Sequence, residues 1–368
     1  MPVISSTLNS QLPTPNFPMD ALSALKKDLI ATIDGLPTME NGKWIQRALE
    51  SILQLAETEI DRLDWKILSA AVGDMERAFQ IFYPYRHIRK VAVFGSARTP
   101  ESAIEYQLAH DFAHLITQQG FMTITGAGGG IMAAANAGAG AENSFGLNIQ
   151  LPYEQGANQY IAGDPKSIAF KYFFTRKLFF LRESDAVALF PGGFGTQDEA
   201  LETLTLCQTG RYGPVPLVLI DRPGGTYWRD WDSYLRKNLA DPGWISAEDL
   251  NLYTITDDIQ VAAEVIRNFY QVYHSSRYVG EEFVIRLKVA ICDRDLDFLN
   301  QEFGDLVASG KIVQTTALPD ELDDLAIEDL PRLVFKFDRR DFGRLYQMIG
   351  KINQMSGENC SDTHPEAK

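Results

Sequence analysis

The sequence predicts an α/β protein built on a doubly wound, Rossmann-like parallel sheet, and three observations carry that prediction. Short apolar, β-branched runs alternate with segments of helical periodicity between residues 87 and 274, the pattern of parallel strands covered on both faces. Glycine-rich loops follow three of those runs, where doubly wound folds bind their ligands. A helical preface and a C-terminal stretch of different periodicity flank the block.

Taken in order, residues 1–18 are rich in Ser, Pro, Thr and Asn, bury little apolar surface and are expected to form a disordered tail. Residues 19–86 read as a helical extension, because Ile45, Leu49, Ile52, Leu53, Ile60, Leu63 and Ile67 recur at helical spacing. The block 87–274 supplies strands at 91–94, 121–125, 145–151, 186–190, 217–220 and, more weakly, 252–255. Between them fall helices over about 101–119, 130–142, 168–184, 196–210, 227–240 and 257–273. After "VYHSSRYVG", residues 275–355 read as a small α+β domain of order β-α-β-β-α. Its elements are "EFVIRLKVA", a helix over "DRDLDFLNQEFGDLVASG", the strands "KIVQTTAL" and "RLVFKFD", and the helix "RDFGRLYQMIGKIN". The acidic "PDELDDLAIEDLP" is expected as a solvated loop, and 356–368 as a closing tail.

Composition narrows the function classes. With 368 residues, 45% of them hydrophobic, the chain can bury a large core. A formal net charge of −15 repels polyanions and argues against nucleic-acid binding, which needs a basic stripe. No run approaches the ~18 apolar residues of a membrane span, and the first 20 residues lack the basic-then-apolar order of a signal peptide; a cytoplasmic protein without membrane contact is expected. Cys207, Cys292 and Cys360 are scattered and are expected as free thiols.

The first glycine loop, "VFGSART", offers Gly95 and Ser96. The second, "TGAGGGIM", offers Gly128, Gly129 and Gly130. The dinucleotide fingerprint needs glycine where this loop has Ile131, and it belongs after the first strand rather than the second. No G-x-x-x-x-G-K-[ST] occurs, and "HDFAH" lacks the glutamate of the zinc-protease helix, so His110 and His114 read as ordinary helix residues and no metal or other cofactor is expected. A single glycine loop can be mere strand-to-helix packing; three at successive strand ends favour anion binding.

In the third loop, "PGGFGTQDE", Gly192, Gly193 and Gly195 let backbone approach a ligand closely, and Thr196 is a natural N-cap whose helix start would suit a phosphate. Glu199 has two readings: the return arm of a Thr196-x-x-Glu199 capping box, or a carboxylate acting on the ligand. Upstream, Arg176 and Lys177 sit on the apolar stretch "FKYFFTRKLFFLRESD". They are either solvated charges or cations facing the loop, and a charge on so apolar a helix needs a partner.

Together, "GSART", "GAGGGIM", "FFTRKLFF" and "PGGFGTQDE" resemble the LOG (Lonely Guy) family over about residues 88–273. The resemblance implies a dimeric phosphoribohydrolase that cleaves the N-glycosidic bond of nucleoside 5′-monophosphates, AMP-like or cytokinin precursors, for cytokinin activation or nucleotide salvage. It implies catalytic roles for Arg176 and Glu199, with Gly95, Ser96, Gly128, Gly129, Gly130, Lys177, Gly192, Gly193, Gly195 and Thr196 around the substrate. Relatives of the same fold that carry molybdenum cofactor supply the alternative, a non-catalytic nucleotide or cofactor carrier. The chain departs from short members in its N- and C-terminal regions and in Arg98 within the first loop. The C-terminal order resembles ferredoxin-like domains, which implies a small effector or subunit pairing there.

Overall fold

The computed structural model describes residues 41–150, 156–321 and 327–355, with Lys27 and Met39. The expected tails at 1–18 and 356–368 and the centre of the acidic 319–331 loop lie outside the described residues, as does Leu151. Two compact units result, Met1–Ser69 and Ala70–Lys368. In the first lie helix α1 (Gly42–Ala56) and the start of α2 (Arg62–Phe82), which runs on into the second.

The second unit is built on a parallel sheet of β1 (Lys90–Phe94), β2 (Met122–Thr125), β3 (Ser144–Ile149), β4 (Ser167–Phe170), β5 (Ala186–Leu189), β6 (Leu217–Ile220) and β7 (Tyr253–Thr256), in the order β4-β3-β2-β1-β5-β6-β7. Each neighbouring pair is parallel. Alternation along the central strands divides the core. Val91, Val93, Ala186, Ala188, Val218 and Ile220 pack with α3 (Ile104–Gln118), α4 (Ile131–Ala139) and α8 (Ile259–Phe269). Ala92, Phe94, Val187, Leu189, Leu217 and Leu219 pack on the other face with α2, α5 (Phe173–Arg182), α6 (Phe194–Gln208) and α7 (Tyr227–Leu235). Both faces of β1 and β5 are buried throughout, so apart from Lys90 their sequences are continuous apolar runs.

A second, antiparallel sheet is ordered β10-β11-β9-β8, from β8 (Tyr273–Val279), β9 (Glu282–Leu287), β10 (Val307–Thr315) and β11 (Arg332–Phe337), with α9 (Asp293–Glu302) and α10 (Phe342–Ile352). Phe283, Ile285, Leu333, Phe335, Leu345 and Met348 join the apolar cluster that covers the parallel sheet, so the two sheets share one core.

Four expectations are corrected. Residues 167–170 form an edge strand, and the helix expected from 168 begins at Phe173; Ile168 and Phe170 are buried while Ala169 between them is exposed, the period of a strand. "VYHSSRYVG" is not a connector but β8, whose polar, partly exposed residues conceal it, and the C-terminal order is therefore β-β-α-β-β-α. The helix expected through 310 ends at Glu302, and β10 starts at Val307. Cys207 is a free, buried thiol, but Cys292 is disulfide-bonded; Cys360 lies outside the described residues.

One buried charge cluster ties the second sheet together. Arg286 of β9 and Arg332 of β11 stand directly opposite, which alone would be repulsive. Glu321 lies between them, fully buried, accepting from Arg286 Nη2 at 2.6 Å and Arg332 Nε at 3.3 Å. Removing one member of such a cluster leaves uncompensated buried charge, worth about 3–5 kcal/mol. Glu321→Gln is expected to lose stability on that scale in chemical denaturation; a loss below about 1 kcal/mol would contradict this role.

Candidate active site

The sheet order places β1 between β2 and β5, so connections leave β1 and β5 in opposite directions and open a crevice at their carboxyl ends. All three glycine loops meet there. Ser96 N–H donates to Pro191 O at 3.1 Å, and Ile131 N–H donates to Ser96 O at 3.1 Å, stitching the first loop to the third and the second. Such contacts exclude side chains. A Cβ on Gly95 would meet the Ile131 side chain at 2.6 Å, one on Gly130 would meet Ser96 O at 2.2 Å, and one on Gly192 would meet Thr196 Oγ1 at 2.1 Å. Ile131, the residue that breaks the dinucleotide fingerprint, is thus the one that Gly95 accommodates. By contrast, a Cβ on Gly193 or Gly195 would touch nothing; these two face open space.

Polar bonds brace the loops from outside. Asn158 Nδ2 donates to Gly128 O at 3.0 Å and to Asn136 Oδ1 at 2.9 Å, and Thr125 Oγ1 donates to the same Asn136 oxygen at 2.8 Å. Tyr227 OH donates to Gly192 O and accepts from Gln197 Nε2 at 2.6 Å, holding the third loop against the start of α6.

That start differs from the sequence reading. Helix α6 begins at Phe194 with Gly193 at the cap position, and no side chain caps it. Thr196 is therefore a residue of the first turn, not the N-cap, and the Thr196-x-x-Glu199 capping box does not form. The backbone N–H groups of residues 194–196 have no intrahelical acceptor and point, with the positive end of the helix dipole, towards the crevice.

Glu199 lies inside α6 and is buried, 5% exposed. Its Oε2 has no hydrogen-bond partner among the described residues; Lys177 Nζ is 4.0 Å away. Burial pushes the Glu199 carboxyl up to about 7, against the pull of Lys177 and Arg176 and with the help of Asp198 and Glu202. Lys177 itself contacts Glu202 and lies 3.0 Å from Asp198. Burial works against its ammonium, yet Glu202, Asp198 and Glu199 hold its pKa above the ordinary value.

Arg176, on α5, places its guanidinium over Phe173 at 5.1 Å and Phe180 at 5.6 Å. Its helix has no local cap. Asp74 of α2 braces the turn that leads into it: its buried Oδ2 accepts from Lys171 N at 2.9 Å, Tyr172 N at 3.4 Å and Thr175 Oγ1 at 2.8 Å, while Oδ1 accepts from Arg77 at 2.6 Å.

These parts enclose a cavity of about 860 Å³, within the range of small-molecule sites. Gly95, Ser96, Gly128, Arg176, Gly192, Gly193, Gly195, Thr196 and Glu199 line it. Gly129 and Gly130 do not; they approach the backbone of Ala97 and Ser96 instead. Lys177 reaches Glu199 from behind the wall. Phe94, Met132, Asn148, Phe173 and Arg98 also line the cavity; only Arg98 had a sequence signal, as the unusual cation in the first loop. His110 pairs with its neighbour Asp111 at 2.9 Å, and no group of His, Cys, Asp and Glu among the described residues could hold a metal.

A family model described as "Possible lysine decarboxylase" matches residues 129–266. No curated protein matches the chain. Among solved structures, a structural-genomics target, TM1055, is 22% identical over 49% of this chain and 99% of its own, with a TM-score of 0.35. The molybdenum cofactor carrier protein of Chlamydomonas reinhardtii is 19% identical over 49% of this chain and 96% of its own, TM-score 0.34. The molybdenum cofactor binding protein of Rippkaea orientalis is 18% identical over 49% and 94%, TM-score 0.34. Decarboxylation of lysine would call for pyridoxal phosphate on a neutral lysine amine. No lysine lines the cavity, and Lys177, 4.0 Å from Glu199, does not fit, since three carboxylates keep it charged.

Asp74→Ala strands the backbone N–H groups of Lys171 and Tyr172, while the Thr175 hydroxyl keeps Tyr172 O as acceptor, and is expected to cost about 1–3 kcal/mol in chemical denaturation; Asp74→Asn should recover part of it. Unchanged stability of the alanine variant would show that α5 does not depend on this carboxylate.

Proposed function

We propose that this chain, whose residues 129–266 carry a LOG-type domain, hydrolyses the N-glycosidic bond of nucleoside 5′-monophosphates to free base and ribose 5-phosphate. The observation that carries the reading is Glu199: a buried carboxylate with an oxygen that no described residue hydrogen-bonds, about one helical turn from an open cradle of backbone N–H groups. A 5′-phosphate seated on the first turn of α6, beside Gly193, Gly195 and Thr196, brings the sugar's anomeric carbon towards that carboxylate. No acidic side chain stands among the first-turn residues to oppose the anion.

The departing base leaves with the bonding electrons of the C1′–N bond, and positive charge develops on the sugar. Glu199 as carboxylate stabilises that charge, orients water towards C1′ and accepts its proton as the new C–O bond forms. The base nitrogen takes up a proton from solvent water as it leaves, with Arg176 steadying the nucleotide on the aromatic faces of Phe173 and Phe180. Lys177 balances Glu199 without touching the substrate. The anchored phosphate supplies remote binding energy that fixes the reacting bond.

Apolar side chains at 53%, 56% and 48% exposure, Phe173, Phe174 and Leu178, crowd the helix that carries Arg176; such a patch fits a homo-oligomer. Sedimentation at micromolar concentration should find a dimer or larger species, and a monomer there would refute the assembly.

The chemistry is tested by incubating the protein with AMP and measuring adenine. Glu199→Gln and Arg176→Ala are each expected to lower turnover by at least ~100-fold. Because the base form of Glu199 is required and burial pushes its carboxyl up to about 7, kcat/KM should rise with pH through about 7 and level off above it. A profile that falls over that range would instead make Glu199 an acid. AMP binding without adenine release would favour the carrier reading.

A further inference from the structure

A second large cavity, of about 590 Å³, lies at the opposite ends of the parallel strands. Residues that precede β1, β5 and β6 form one wall, and β8 and β9 of the antiparallel sheet form the other. A smaller adjoining cavity, of about 360 Å³, shares His87, Ile88, Arg89 and Tyr270 with it. Arg86, Arg89, Arg182, Arg267, Arg286 and Lys288 line the pair, and Asp185 is their one acidic residue. Arg89, Arg182 and Arg286 pair with Asp185, Glu183 and Glu321; the other three leave the walls locally positive on a chain of net charge −15, and concave walls concentrate that field.

Several of these cations are fixed in place. Arg89 bonds Asp185 Oδ1 and His274 O, each at 3.1 Å, and stacks 3.7 Å from the Tyr270 ring. Arg286 is held by Glu321 and by Ser275 Oγ at 3.2 Å. Lys90 Nζ donates to Tyr85 O and Ile88 O, both at 2.9 Å, and so sets the turn that presents Arg86 and Arg89. Arg86, Arg267 and Lys288 pair with no carboxylate among the described residues. His274, half-buried among these cations, is kept neutral: burial first, then Arg89, Lys288, Arg286 and Arg332, lower its pKa to about 4.

We propose that the joined cavities bind a small phosphorylated molecule carrying at least two negative charges, at a site separate from the Glu199 crevice. Guanidinium forks match phosphate oxygens in pairs, and the volume suits a nucleotide-sized ligand rather than a polymer. Both oxygens of Asp185 are already used, by Arg89 and by the backbone N–H of Lys90, so the cavity holds no poised carboxylate and its role is binding. The inference does not depend on nucleotide hydrolysis.

The test is calorimetric titration of the full chain with sodium pyrophosphate. Binding is expected in the wild type, weakened at least ~10-fold by Arg86→Ala with Lys288→Ala and unchanged by Arg176→Ala in the other cavity. Thermal unfolding without ligand checks that the variants fold; if the double variant does not, Arg86→Gln alone should weaken binding in the same direction. The site is refuted if millimolar pyrophosphate does not bind, if the Arg86 variants bind as the wild type does, or if Arg176→Ala abolishes binding.

Discussion

The structure depends on how closely three backbone turns can approach at the carboxyl ends of β1, β2 and β5. Ser96 sits at the centre, donating to Pro191 O and accepting from Ile131 N. Because β1 lies between β2 and β5, its loop must touch both neighbours. That demand fixes Gly95, Gly130 and Gly192, each of which stands where a Cβ would overlap atoms at 2.6 Å or closer, and Gly130 additionally holds a φ of +60°. Once the turns are locked, the first turn of α6 is left with unpaired N–H groups facing a crevice instead of a neighbouring chain segment.

The same locking decides the state of Glu199. A carboxylate buried beside α5 and α6 would normally be protonated or tightly paired. Here Lys177 is shared among Asp198, Glu199 and Glu202 and stands 4.0 Å from Glu199, too far for a direct hydrogen bond. Burial therefore outweighs attraction, and the carboxyl settles near neutrality, where either protonation state is reached at small cost. A closer lysine would hold it ionised and leave it a weaker base.

How much of this can be read from the sequence follows from burial. The central strands announce themselves because both faces are covered, so β5, β6 and β1 after Lys90 are unbroken apolar runs. Strands β4 and β8, at sheet edges, mix exposed and polar residues and passed for helix and connector. Thr196 and Glu199 have capping-box spacing, but the spacing cannot show that the helix starts two residues earlier, at Phe194. Nor can it separate Gly130 and Gly192, which pack, from Gly193 and Gly195, which face open space. Asp74 has no local signal at all, since its partners lie 97 to 101 residues away.

In the two proposed sites, anion binding takes different forms at the two ends of one sheet. Backbone N–H groups at a helix start carry only partial charge, so an anion can be held near Glu199 without a cluster of full positive charges that would drive the carboxyl's pKa far down. More cations beside Arg176 and Lys177, which already pull against burial, would bind an anion more strongly and leave Glu199 a poorer base. At the amino ends of the strands no such carboxylate has to be kept near neutrality. Full charges can gather there, and the residue that suffers is His274, which stays neutral in their midst. Backbone N–H groups near Glu199 and clustered cations at the amino ends of the strands thus differ in what each leaves of a neighbouring titratable group.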